Sequence, residues 1–378
     1  MAKNMIRLGE VASYINGYAF KPEDRGNVGL PIIRIQDLTG NSYELGYYSG
    51  NYPQKIEIND GDILISWSAS LGVYVWDKGK ALLNQHIFKV EFMEDSIDKR
   101  YFVYAVRKKI DEMIRKSHGA TMKHIVKKDF EDTLIPYPKL EVQSKIADEL
   151  DGISEIIYMR KQQLKLYESL VRARFVEMFG SIYNNEYGYN IKTLQDVCEQ
   201  IKDGTHQTPM YTEDKGKGFK FLSSKDVVSG KIDWSRVKYI SAELHEELYS
   251  RIKPKRGDLL LAKNGTTGVA AIVETDEVFD IYVSLAILRP VDINSVYLWG
   301  AVNSMESKRQ FDESLKGIGV PNLHLGEIKK TKIVVPPIQI QEAFEQFVLQ
   351  IDKSKVEVKK ALDEAQLLFD SLMQKYFG

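Results

Sequence analysis

Two stretches of the chain carry apolar residues in a 4-3 rhythm. In 141–180 the stripe is Ile146, Leu150, Ile153, Ile157, Leu164 and Val171. In 339–378 it is Phe344, Val348, Ile351, Val358, Leu362, Ala365, Phe369 and Leu372. This spacing is the seam of a coiled coil and predicts two helices of about forty residues, each about 60 Å long at ~1.5 Å per residue. The two stretches share one register, since 341 − 143 = 378 − 180 = 198 for Gln341 against Gln143 and Gly378 against Gly180. Both end in Phe-Gly. A chain that repeats its long helix at about half its length reads as a tandem of two similar units.

The segments between the helices repeat as well. The first opens with a strand at 6–8 and an apolar turn or helix through Val11 and Ile15. Strand patterns follow at 31–35, 62–67, 72–76 and 87–92, then a helix at 96–116 and a strand at 133–136 that ends in Pro-Tyr-Pro. The second matches it in order. Residues 191–201 correspond to 6–15, and FKFLSSKD at 219–226 to IIRIQD at 32–37. GDLLLAKNGTTGV from Gly257 corresponds to GDILISWSASLGV from Gly61, and a helix at 295–315 to the first unit's helix. The expected division is 1–139, a spacer helix over 140–180, a second unit over 181–337 and a spacer helix over 338–378. The frames agree while the loops differ, as expected of two related but distinct recognition sites.

Composition narrows the class. The chain has 378 residues, 43% of them apolar, enough for two or three domains with real cores. Its one cysteine, Cys198, permits no internal disulfide and suggests a reducing cytosol. That cysteine reads as a small buried hydrophobe, with a reactive thiol as the alternative. The opening MAKNMIRLGEV lacks the apolar core of a signal peptide, and no apolar run reaches the ~18 residues of a membrane span, so a cytoplasmic protein is expected. Net charge is −1, without the basic excess of many nucleic-acid binders. Basic groups at 107–109, 123–128, 215–225, 251–256 and 329–332 form either a basic face or merely solvated surface.

The order, spacing and duplication of several stretches resemble the specificity subunit of type I restriction-modification systems. They are LGEVASYINGYAF, IIRIQDL, GDILIS, LLNQHIFKV, DGTHQTP at 203–209, and the helix ends RFVEMFG and LMQKYFG. The resemblance spans the whole chain. It implies an α+β fold: two tandem target recognition domains, each a mixed and mostly β core with helices, joined by two long antiparallel coiled-coil helices with pseudo-two-fold symmetry. It further implies a non-catalytic subunit that reads a bipartite target in double-stranded DNA and docks two adenine-N6 methyltransferase subunits, with motor-nuclease subunits as further partners. S-adenosylmethionine, and ATP with Mg for restriction, would then sit on partner subunits, and no cofactor on this chain. One departure is that the two helices agree at only seven of forty aligned positions: Gln143, Ile153, Lys161, Leu164, Leu170, Phe179, Gly180 and their partners. The two docking faces need not be equivalent.

Chemistry within the chain is absent by pattern. There is no phosphate-cradling loop, no Asn/Asp-Pro-Pro-aromatic element and no zinc spacing among six histidines and one cysteine. The alternative class is a non-enzymatic coiled-coil adaptor that binds protein partners.

DNA-binding candidates lie in matching loops. Tyr18 and Lys21 follow Asn16-Gly17 in the first unit, and Thr205, His206 and Thr208 follow Asp203-Gly204 in the second; the latter stretch is equally a well-made polar turn. Arg34, Gln36 and Asp37 match Ser224 and Lys225 at equivalent strand ends. Trp67 and Ser68 match a tip loop with Lys263, Asn264, Thr266 and Thr267, where Asn suits adenine and Lys suits guanine or phosphate. A hairpin turn is the alternative there. Asn84, Gln85 and His86 precede a strand, on which successive side chains would alternate faces. Lys123 and His124 match Asn322 and His324. Exposed surface without a ligand is the alternative for these.

Overall fold

The computed structural model describes residues 4–93, 97–116, 125–265, 267–315 and 322–378. It forms two compact units. One comprises Met1–Lys161 with Lys360–Gly378, the other Gln162–Lys359.

In the first unit an antiparallel sheet runs in the order Ala12–Asn16, Ile87–Phe92, Ile63–Ser66, Gly72–Val75. A second sheet runs Gly46–Tyr48, Leu30–Ile33, Ala81–Leu83, Glu57–Ile58, with a parallel pair at its centre. The second unit repeats both. Its antiparallel sheet is Cys198–Asp203, Leu285–Pro290, Leu259–Ala262, Ala270–Ile272, and its second sheet is Lys238–Ile240, Phe219–Leu222, Phe279–Ile281, again with one parallel pair. The strands Ile63–Ser66 and Leu259–Ala262 are buried at every residue. Such strands read as continuous apolar runs because both faces are covered.

The long helices are Leu140–Phe179 and Ile338–Phe377. Each unit receives the first part of one helix and the end of the other. In the first unit the Tyr376 hydroxyl donates to Glu149 Oε2 at 2.6 Å, and Lys108 Nζ to Gln374 Oε1 at 2.6 Å. In the second, Phe175 packs on Phe344 with ring centroids 5.4 Å apart. The pairing is antiparallel in both. Of the expected seam, Ile146, Leu150, Ile153, Ile157 and Leu362 are buried in the first unit, and Val171, Phe344, Val348, Ile351 and Val358 in the second. Leu164 and Phe369 are half-buried. Phe369 instead turns its ring toward Tyr104, 6.0 Å away.

Residues identical between the two helices lock each to its units. Gln143 Oε1 accepts from the Asp98 amide at 3.0 Å while its Nε2 donates to the Pro138 carbonyl at 2.8 Å. Gln341 repeats this with the Asn294 amide at 2.9 Å and the Pro336 carbonyl at 2.8 Å. At the other helix ends, Phe377 packs on Tyr101 (5.0 Å) and Phe179 on Tyr297 (4.7 Å). Those tyrosines donate to the carbonyls of Pro136 and Val334, again matching positions.

Several expectations change. The helix at 295–315 is two helices, Ser295–Val302 and Met305–Ser314, because Ser304 caps the second and Asn303 turns its amide onto both backbone groups of Ala270. The turn or helix expected through Val11 and Ile15 is a short helix at Leu8–Val11, but Ile15 already lies on a strand. The strand expected over 31–35 stops at Ile33, and Ile35–Leu38 is helical. A helix at Ala242–Arg251 has no counterpart among the described residues of the first unit.

Candidate nucleic-acid interface

The same backbone junction forms in both units. In the first, the Tyr18 amide donates to the Leu83 carbonyl and the Gln85 amide to the Tyr18 carbonyl. Trp67 donates to His86, and Ile125 to Trp67. In the second, the corresponding bonds are Thr205 to Ile281, Val283 to Thr205, Lys263 to Ser284 and Leu323 to Lys263, all 2.8–3.2 Å. The glycine before each junction, Gly17 or Gly204, faces a carbonyl so closely that a Cβ would collide with backbone. Adjacent strand ends join in the same way, through Asn84 to Ile33 and Tyr282 to Leu222.

The junctions bring together most of the residues singled out from the sequence. In the first unit these are Tyr18, Trp67, Asn84, Gln85 and His86. Tyr18 is exposed and meets Phe20 edge-on at 5.0 Å, with Phe20 in the core. Asn84-Gln85-His86 does precede the strand Ile87–Phe92; Asn84 bridges Tyr18, Gln85-His86 is a turn in which side chains do not alternate as on a strand, and His86 has a left-handed backbone (φ 73°). Asn84 is buried with Oδ1 accepting from the Gln85 amide, while Gln85 is exposed. The Trp67 ring stacks on Phe88 at 5.6 Å and meets His86 at 4.9 Å. Ser68 beside it is half-buried, and Lys21 is exposed, 3.9 Å from Glu23.

Arg34 and Asp37 are held inside the fold. Asp37 Oδ2 accepts from the Arg34 amide (2.8 Å) and guanidinium (3.0 Å), which also reaches Ser42 and the Glu44 carbonyl. Their matches Ser223 and Asp226 form the same cap at 2.7 Å. Gln36 and Lys225 remain exposed, and Ser224 is half-buried with its amide on Ser284 Oγ at 2.9 Å.

In the second unit the junction gathers Thr205, His206, Lys263, Asn264 and Asn322. Thr205 is buried and its hydroxyl accepts from the Gln207 amide at 3.2 Å. His206 and Thr208 are exposed. Lys263, expected at a loop tip, is 5% exposed, with Nζ 3.2 Å from Asp203 Oδ2. The reason is its backbone: bonded on both sides in the junction, it directs the side chain under the Asp203 turn. Asn264 pairs with Asn322 in a β-bridge, Thr267 is half-buried, and Asn322 and His324 are exposed. Lys123, His124 and Thr266 lie outside the described residues.

Sequence reading missed Lys202, and it noted Arg251 only as part of the basic group 251–256. Both are exposed beside a cavity of about 230 Å³ that opens next to Thr205. Its floor includes Asp280, whose carboxyl is raised by burial, partly countered by His245 Nδ1 at 2.7 Å. Plain alternation from the buried Cys198 would have placed Lys202 inward; the bulge between Cys198 and Gln200 shifts the faces and turns it outward, and Arg251 sits on the unforeseen helix. Cys198 is buried, and burial together with Asp258 pushes its thiol up to about 12, as suits a packing residue. Among the described residues no three His, Cys, Asp or Glu converge as metal ligands, and no helix is long and apolar enough to cross a membrane.

Comparison with known proteins agrees with the duplicated plan. The model of the type I restriction modification DNA specificity domain matches residues 2–166 and 186–365. The type I restriction enzyme EcoBI specificity subunit of Escherichia coli is 26% identical over 98% of this chain and 85% of its own. The MjaVIII specificity subunit of Methanocaldococcus jannaschii is 24% identical over 94% and 87%. The crystal structure of a type I restriction-modification S subunit from M. genitalium shares the fold, with TM-score 0.56, 15% identity and coverage of 100% and 97%. So does a chain from a structural study of type I R-M assembly and conformational transition, with TM-score 0.60, 16% identity and coverage of 100% and 98%. With one match on each unit, the chain belongs to the family of type I restriction modification DNA specificity proteins.

Proposed function

We propose that each unit reads one half of a split sequence in double-stranded DNA. The observation that carries this is the duplicated junction: one backbone arrangement is built on Trp67 and His86 in one unit and on the buried Lys263 and Ser284 in the other, under loops whose exposed side chains differ. A conserved frame with exchanged side chains is the means by which related sites come to read different sequences. The exposed Tyr18, Lys21, Gln36 and Gln85, with the half-buried Ser68, would face the first half-site. His206, Thr208, Lys225, Asn322 and His324 would face the second, with Lys202 and Arg251 on phosphates. Arg34, Asp37, Asn84 and Thr205 would shape these loops from behind.

The chain itself is non-catalytic in this reading. Two methyltransferase subunits would dock on the long helices, whose exposed apolar residues include Ile156, Met159, Leu166, Val356 and Leu367. They would carry S-adenosylmethionine to a flipped adenine. A motor-nuclease subunit would bring ATP and Mg, all in the cytosol. Binding of the assembled complex to its methylation motif and to scrambled duplex, measured across a salt series, tests the reading. Motif-selective binding with a steep salt slope is expected; equal, salt-insensitive binding to both duplexes would contradict it.

A further inference from the structure

Lys263 stands where a DNA-contacting lysine was expected, yet it is 5% exposed and faces inward. Its Nζ lies 3.2 Å from Asp203 Oδ2, and the same oxygen lies 3.4 Å from His206 Nε2. The Asp203 side chain is 17% exposed and that of His206 73% exposed. A buried ammonium is costly to desolvate and tolerated only against a fixed partner charge. Asp203 is thus anchored from below by Lys263 and turned at its rim toward His206. The first unit fills the same position with Trp67, anchored by stacking on Phe88 and edge contact with His86. One framework therefore carries an ionic support in one unit and an aromatic one in the other.

A carboxylate facing Nε2 favours the imidazole proton on that nitrogen. With a single proton, on Nε2, the ring leaves Nδ1 as an acceptor. In the major groove the donors are the amino groups of adenine N6 and cytosine N4. Every base pair carries one such group, on one strand only, so an acceptor held in one place distinguishes which strand bears it. We propose that Lys263 is a positioning residue for the second half-site: through Asp203 it sets His206 as a hydrogen-bond acceptor for an amino-bearing base. The inference rests on the DNA reading above and assigns one position within it.

The test compares methylation motifs, by single-molecule sequencing, in cells whose only such system carries the wild-type chain, His206→Ala, Lys263→Met or Lys263→Arg. The wild-type motif is established first, and its absence would sink the DNA reading itself. Given that motif, His206→Ala and Lys263→Met should each relax preference at the same single position of one half-site. A discrimination of roughly 5- to 150-fold there should fall toward unity. The other half-site should stay intact, and Lys263→Arg should keep the wild-type motif. If Lys263→Met does not accumulate, the exposed His206→Ala still decides. An unchanged motif with His206→Ala, or a uniform loss of methylation with the motif retained, overturns the proposal. So does relaxation by Lys263→Met at a position that His206→Ala leaves alone.

Discussion

Gln143 and Gln341 occupy matching positions of the two helices, and each closes two hydrogen bonds to its globular unit while almost wholly buried. Gln143→Leu would leave the Asp98 amide and Pro138 carbonyl without partners, at ~2–6 kcal/mol, since each buried orphan costs about 1–3 kcal/mol. A lower denaturant midpoint for the first unit, followed by amide exchange, checks this. The identity of the two glutamines is visible in the sequence, but their role is not, because one partner lies 45 residues away. Asp98 offers a second residue-scale contrast. Burial pushes its carboxyl up, but the Tyr101 amide, the Ser144 hydroxyl and Arg100 overturn this and hold it below the usual range. A depressed carboxylate stabilises the fold at and above its ordinary pKa, and that contribution is lost as pH falls through the lowered value. The matching residue is Asn294, which caps its helix without a charge. Acid should therefore loosen the first unit through Asp98, with stability falling below about pH 4, and Asp98→Asn should flatten that part of the profile. Unfolding of both variants across acid pH measures it.

At the scale of elements, the helix ends matter as much as the seams. Phe179 and Phe377 are fully buried against Tyr297 and Tyr101. Phe377→Ala should cost ~3–5 kcal/mol, as aromatic truncations in cores do, and release the helix end from the first unit. Loss of exchange protection at residues 370–377 is the expected signature. The Phe-Gly repeat was legible because it recurs in register; the tyrosines that receive it were not. Strands with unbroken apolar runs, such as Leu259–Ala262, were equally legible. The helix Ala242–Arg251 was overlooked although Leu244 and Leu248 stand four apart behind the capping Ser241. The break at Asn303 is only half a local signal: Ser304 caps the following helix, but Asn303 depends on a strand edge at Ala270. The site divides in the same way. Loop positions could be matched by counting along the repeats, but whether a lysine there turns outward or inward is set by backbone bonds to distant strands. Lys263 is the example.

For the whole molecule, duplication is the organising fact. In the proposed reading, two copies of one framework with exchanged loop chemistry read two half-sites, and the long helices set the unread gap. Adding the same number of whole turns to both helices should lengthen the gap and leave both half-sites unchanged. A changed half-site sequence in that variant would count against the helices as a spacer. The most direct measurement is the methylome of the source organism against a strain lacking this gene, by single-molecule sequencing. Loss of N6-methyladenine at one split motif, restored when the gene is returned, is the predicted result. N6-methyladenine lost only at a continuous motif, or unchanged at every motif while the wild-type complex is present and active, would contradict it.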